Sequence, residues 1–340
     1  MPPTTYVPPR LPGLCYAIGA PDEILPVIDL THPAFAVPPG EEARVKITPE
    51  NAREEERRAR QVRWWPRWLL RFLTRGSTLL RSLGDASGFL DGMSTYRLKL
   101  GPAYFGPDWP NKIDRRMATS PACVSVRLRL QDMAEFLAAS VAPRLATRPG
   151  APLHLVNIAG GPAMDSLNTL LRLRKQQPEL LERRTVRISI LDQDETGPAF
   201  AARALAALRE PGAPLAGLDL TLTRVPYFWE DTAALRTFLS AQPAGDVVAV
   251  SSEGGLFDYG RDEDVLANLE ALRDGLPPEV EVVGSCSQAD APGRDQRQRW
   301  RIKLQPRRPA EFAELVARAG WTVGLERSYL YSFHVRLRRA

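Results

Sequence analysis

The stretch whose residue types could do chemistry begins at 153–165, Leu-His-Leu-Val-Asn-Ile-Ala-Gly-Gly-Pro-Ala-Met-Asp. A short apolar run ends in Gly160 and Gly161 and passes into helical spacing. That pattern reads as a buried parallel strand, a tight turn and a helix N-terminus. Further on, Val186–Leu191 is a second apolar run, closed by Asp192, Gln193 and Asp194. Glycine at such a turn lets backbone approach a ligand where a Cβ would collide. Strand, glycine turn, helix, strand, acid is the order in which a nucleoside-type cofactor is held.

Proton transfer has few candidates, because the chain has only three histidines, His32, His154 and His334. His32 follows Asp29 closely, so the two can act as a base and its orienter, or as a Thr31-His32-Pro33 turn with Asp29 as a local cap. His154 falls inside the first strand and reads as buried structure. His334 lies in an alternating run near the C-terminus and reads as core or surface. His32 is therefore the candidate base, with Tyr259 and Asp258 behind it. Cys15, Cys123 and Cys286 are odd in number and far apart, with no CxxC pair. No metal site and no disulfide framework is expected, and reduced thiols suit a cytoplasmic setting.

The elements that must position these groups follow from composition and pattern. With 340 residues, 44% hydrophobic and 25% charged, the chain can bury a sizeable core as one elaborated α/β domain or two modest ones. The net charge of +5 comes from arginines scattered among acids, which reads as a solvated surface more than a nucleic-acid or membrane patch. No apolar run reaches the length of a membrane span, and the Pro-rich start lacks the apolar core of a signal peptide. Residues 1–147 read as an N-terminal extension and cap, mainly helical. Trp64-Trp65-Pro66-Arg67-Trp68 and its arginines read as a lid, or as a surface that lies on a membrane or takes an acidic partner. Glycines and aromatics over 85–116 suit pocket lining. A helix from Val124 is expected to end before Pro143.

From 148 to 340 the alternation is regular. Strands are expected at 153–158, 186–191, 218–225, 246–251 and 280–285, with helices at 164–176, 199–208, 265–272 and 309–319. The runs 321–326 and 331–337 are too close for a crossover and should form an antiparallel hairpin. This is a Rossmann-like α/β layout with a seven-stranded sheet, and a nicotinamide-binding fold would instead continue with parallel strands.

Three segments carry a resemblance: Asn157-Ile-Ala-Gly-Gly-Pro-Ala-Met-Asp165, Ile190-Leu-Asp-Gln-Asp194, and Arg308-Pro-Ala-Glu-Phe-Ala-Glu-Leu-Val-Ala-Arg-Ala-Gly-Trp321. Over about 150–340 the chain resembles the class I S-adenosylmethionine-dependent methyltransferases. Val250-Ser-Ser-Glu-Gly-Gly-Leu-Phe-Asp-Tyr259 is similar to the corresponding segment of the leucine carboxyl methyltransferase and small-molecule O-methyltransferase branch. The resemblance implies S-adenosyl-L-methionine as cofactor, with S-adenosyl-L-homocysteine as product. It puts Ala159, Gly160 and Gly161 at the cofactor turn, Asp192 on the ribose hydroxyls with Gln193 beside it, and Asp165 near the methionine amino group or at a helix start. Phe228 supplies an aromatic face near the adenine, and Ser251 and Ser252 lie beneath the methyl group. Glu253 can hold the amino group, orient an acceptor or cap a helix. His32, Tyr259 and Glu253 are the catalytic candidates, and a carboxylate acceptor would need no base.

The expected function is methyl transfer to a small molecule, natural-product or peptide-like, with oxygen favoured. A homodimer is compatible with this, and a nucleic-acid partner is not expected. The alternatives are a nucleic-acid methyltransferase, which lacks the Asn/Asp-Pro-Pro-aromatic tetrapeptide here, a nicotinamide-dependent oxidoreductase, and a non-catalytic cofactor-binding protein.

Overall fold

The computed structural model describes residues 10–19, 23–63, 77, 79, 89–106, 111–292 and 303–340. The lid expected around Trp64–Arg75 and the tail before Arg10 lie outside them. A small antiparallel pair, β1 (Tyr16–Ile18) and β2 (Ile24–Pro26), opens the chain. Helices α1 (Pro39–Ala43), α2 (Pro49–Arg63), α3 (Gly92–Lys99), α4 (Gly101–Phe105), α5 (Lys112–Ala118) and α6 (Pro121–Thr147) follow.

The remaining chain alternates: β3 (Leu153–Ile158), α7 (Met164–Gln176), β4 (Thr185–Leu191), α8 (Thr196–Leu208), β5 (Asp219–Val225), α9 (Thr232–Ser240) and β6 (Val247–Ser252). Then come α10 (Leu256–Tyr259), α11 (Asp262–Gly275), β7 (Val282–Ser287), α12 (Pro309–Arg318), β8 (Trp321–Ser328) and β9 (Ser332–Arg339). The sheet order is β5-β4-β3-β6-β7-β9-β8. β3 to β7 are parallel, and β9 runs antiparallel to both β7 and β8. The fold is therefore the Rossmann-like seven-stranded sheet with the antiparallel hairpin that the sequence pattern implies. β3 pairs with β4 on one side and β6 on the other, so the chain changes direction there and opens a crevice at the strand C-termini.

Every residue of β3, β6 and β7 is buried, which is why these strands read as continuous apolar runs and not as alternating ones. Their side chains still alternate between faces. Leu153, Leu155, Val247 and Ala249 join one cluster with α6, α7 and α8. Val156, Ile158, Val248 and Val250 join a second with α9, α11 and α12. Leu25, Val27, Tyr96, Leu100 and Phe136 belong to the first cluster, so the cap and the sheet share one core.

Helix α6 continues through Pro143 to Thr147, further than the proline alone suggests. Tertiary contacts hold its last turn. Arg184 donates to the Leu145 and Arg148 carbonyls at 3.2 and 3.3 Å, and Arg144 donates to Val248 O at 2.8 Å. Helix α9 was not anticipated. Asp231 caps it by accepting from Ala234 N at 3.1 Å, and only Leu235 and Leu239 of it are buried, so its apolar stripe is narrow.

Candidate functional site

At the end of β3 the chain turns sharply. Ala159 N donates to Leu191 O at 2.7 Å, and Ala159 and Ala163 both take left-handed backbone, with φ of 52° and 50°. Gly161 also has positive φ, and a Cβ there would lie 3.0 Å from Gly92 Cα. A Cβ on Gly92 would in turn lie 2.9 Å from Gly161 Cα. The two glycines thus let the N-terminus of α3 close directly over the turn.

Asp192 leaves the tip of β4 toward the same turn. Its Oδ2 accepts from Gly161 N at 2.7 Å and its Oδ1 from Asp194 N at 2.9 Å. Burial raises its pKa, and these two bonds oppose the rise. The capping work falls to Asp194, which accepts from Thr196 Oγ1 at 2.6 Å and Gly197 N at 3.1 Å. Asp192 is left facing the crevice.

Beneath the turn lies a fully buried polar group. Asn157 Nδ2 donates to both oxygens of Asp165, at 2.8 and 2.9 Å, and lies 2.6 Å from Ser251 Oγ. Burial, reinforced by the charge of Glu253, pushes the Asp165 carboxyl up to about 6. Asp165 and Ser251 support the site from below and do not line the crevice. Ser252 Oγ accepts from Leu256 N at 3.0 Å, so it caps α10.

The crevice is a cavity of about 640 Å³. Ala159, Gly160, Gly161, Asp192, Gln193, Phe228, Glu253 and Tyr259 all line it. The structure therefore brings most of the sequence candidates to one place. His32 is not among them. Its Nδ1 accepts from Ala34 N at 3.2 Å and caps a single turn begun by Pro33. Its Nε2 lies 3.1 Å from Pro12 O. Asp29 accepts from Thr31 N at 2.7 Å, so both side chains serve the local turn and not proton transfer in the crevice.

Further lining comes from the cap, and sequence reasoning missed its charges. Lys99 Nζ lies 2.7 Å from Glu253, and Arg129 reaches Glu253 at 3.4 Å and Asp258 at 3.1 Å. Lys99 and Glu253 side chains are each 7% exposed. Burial lowers the Lys99 pKa, and the charge of Glu253 opposes this. Ser125 and Arg129 line the cavity one helical turn apart on α6, and that spacing was the one available signal. Tyr259 Oη accepts from Leu90 N at 3.2 Å. Burial, then the charge of Asp258, pushes its phenol up to about 12. Phe89 meets the Tyr259 ring edge-on at 5.1 Å, and Phe228 lies against Trp229 at 4.5 Å.

The seven-stranded order, closed by an antiparallel strand, defines a Rossmann-like α/β fold. No protein-family model and no curated protein matches the chain. Among solved structures it is similar to a protein of Bordetella parapertussis described as a possible exported protein, with TM-score 0.50 and 19% identity, covering 90% of this chain and 100% of that one. It is also similar to magnesium protoporphyrin IX methyltransferase from Synechocystis PCC 6803 with bound SAH (TM-score 0.44, 13% identity, 73% and 94% covered). A third likeness is to LepI in complex with SAH and substrate analogue (TM-score 0.37, 18% identity). It covers 56% of this chain, which spans 44% of LepI. At these identities the likeness is one of fold.

Proposed function

We propose that the chain is an S-adenosylmethionine-dependent methyltransferase acting on a small-molecule acceptor, with oxygen as the favoured methylated atom. One observation carries the reading: the Ala159–Gly161 turn and the Asp192 carboxylate open on the same cavity. The residues fit a nucleoside sulfonium. Asp192 has lone pairs for the ribose hydroxyls, Gly160 and Gly161 present backbone without side chains, and Phe228 offers an aromatic face. Asp165, buried below and bonded to Asn157, braces the end of β3 that carries the turn.

The bound cofactor supplies a methyl group on positively charged sulfur. The chain's own residues then hold the acceptor in line, keep water out and receive a proton. Leu98, Met117, Ala122 and Val126 from the cap line the cavity, which favours a largely apolar, enclosed acceptor. Glu253 is engaged by Lys99 and Arg129, so it orients those cations instead of serving as a free base. Tyr259 presents its hydroxyl to the acceptor. A nucleic-acid substrate is disfavoured because the cavity cations are matched by Glu253 and Asp258. Reduced Cys15, Cys123 and Cys286 suit a cytoplasmic enzyme. Among the described residues, no helix is long and apolar enough to cross a membrane.

Asp192→Ala tests the assignment. Losing two charge-assisted hydrogen bonds should weaken S-adenosylhomocysteine binding about 100-fold by calorimetry, with the fold retained. Unchanged affinity would remove Asp192 from the ribose.

A further inference from the structure

The cavity lining carries a second set of groups. Ser332 lines the cavity from the start of β9, and its Oγ lies 2.9 Å from His334 Nε2. His334 Nδ1 lies 2.7 Å from Asp132 Oδ2. Ser332 and His334 are two apart on one strand, so they share a face, and Asp132 arrives from α6. His334 and Asp132 are 0% and 1% exposed at the side chain. Only the serine end reaches the cavity.

The protonation pattern follows from the partners. Burial opposes ionisation of Asp132, but the bonds and charges of His334 and Arg327 outweigh it and hold the carboxyl below its usual range. As a carboxylate it can only accept, so Nδ1 of His334 carries the hydrogen. Burial lowers the imidazole pKa, and Asp132 opposes that, so the ring is neutral near pH 7. Nε2 is then an acceptor, and the Ser332 hydroxyl donates to it.

We propose that Asp132, His334 and Ser332 form a proton relay whose Ser332 end takes the proton of the methyl acceptor. A serine, a base within hydrogen-bond reach and a carboxylate orienting that base is the arrangement that activates a hydroxyl. The purpose given to the relay rests on the methyltransferase reading. As the acceptor oxygen forms its bond to the methyl carbon, the carbon–sulfur bond breaks and sulfur takes the electron pair. The acceptor proton passes to Ser332 Oγ, and the serine proton passes to His334 Nε2. The imidazolium so formed is stabilised by Asp132; it later returns its proton to Ser332 Oγ as the serine hydroxyl gives its own to water in the cavity.

Other groups around His334 set its titration. Arg129, on α6 with Asp132, opposes protonation and Glu253 favours it. Arg327, its register partner on β8, is already paired with Asp132 at 2.6 Å and with Glu135. The Tyr329 ring lies 5.0 Å away, and Ser285 stands opposite on β7.

The test uses diisopropyl fluorophosphate, which needs neither cofactor nor acceptor. Attack of Ser332 Oγ on phosphorus, with fluoride leaving and the serine proton going to His334, should give one adduct on Ser332 by peptide mass spectrometry. His334→Gln should slow labelling at least about 100-fold, the scale of general-base assistance, and Asp132→Asn should also slow it. Ser332→Ala should not label while retaining its thermal melt. The rate should be flat near neutral pH and fall only in acid. A folded wild-type protein that binds S-adenosylhomocysteine but gives no Ser332 adduct, or labelling indifferent to His334→Gln, would overturn the relay. Labelling without S-adenosylhomocysteine binding would keep the relay and sink the methyltransferase reading.

Discussion

The two walls of the cavity are built in opposite ways. The floor, at the ends of β3 and β4, uses backbone, two glycines and one outward carboxylate, all contributed by residues 157–197. The rest of the lining, far apart in sequence, uses charged side chains from α3, α6, α10 and the turn after β6, with Ser332 from β9. A floor of that kind binds a fixed ligand and tolerates little change of shape. The charged lining holds Lys99, Arg129, Glu253 and Asp258 in mutual bonds within a largely buried space. Such a network is sensitive to any loss of charge, because the partner left behind stays desolvated.

The largest effect should therefore come from the charged lining. Glu253→Ala strands the Lys99 ammonium in a buried site and should destabilise the fold by about 3–5 kcal/mol in urea titrations. If stability changed by less than about 1 kcal/mol, the ion pairs would be of the weak, solvent-screened kind, and the contrast between the two walls would fail.

Two buried histidines sharpen the same contrast. His154, on β3, pairs with Ser189 Oγ at 2.8 Å, lacks a carboxylate partner and has no bond at Nδ1 among the described residues. Burial, with the charge of Arg187, lowers it to about 4. The unfolded chain then binds this proton first, so the stability His154 leaves intact above about pH 6.5 is lost as pH falls toward 4. His154→Leu should remove about 3 kcal/mol of that acid-side loss, from the difference in pKa. Equal pH slopes for variant and wild type would show that His154 is not held neutral. His334 has an equally buried ring, but a carboxylate on one side and a cavity-facing serine on the other.

This difference explains what the sequence made legible. Strand positions, the hairpin and the Ala159–Asp192 floor were readable because their determinants are local: apolar runs, a glycine pair and an acid at a strand end. The charged lining was not, since Arg129 and Glu253, or Asp132 and His334, are brought together only by the packing of α6 across the sheet. The alternating neighbours of His334 leave core and surface equally open; it is fully buried, and its partners come from elements distant in sequence. His32 drew attention because Asp29 is near in sequence, and that proximity serves a turn.

The smallest effect belongs to the floor. Ala159→Gly relieves a left-handed backbone at φ 52°, while glycine adds unfolded-state entropy, so the net change should stay within about 1 kcal/mol. A loss well beyond that would show that the Ala159 methyl, and not only its backbone, shapes the turn.

The most direct measurement is isothermal calorimetry of the unaltered protein with S-adenosylmethionine, S-adenosylhomocysteine and NADH. Binding of the two sulfur nucleosides but not NADH is the predicted result. Heat from NADH alone, or from none of the three, would contradict the cofactor assignment on which the proposed function stands.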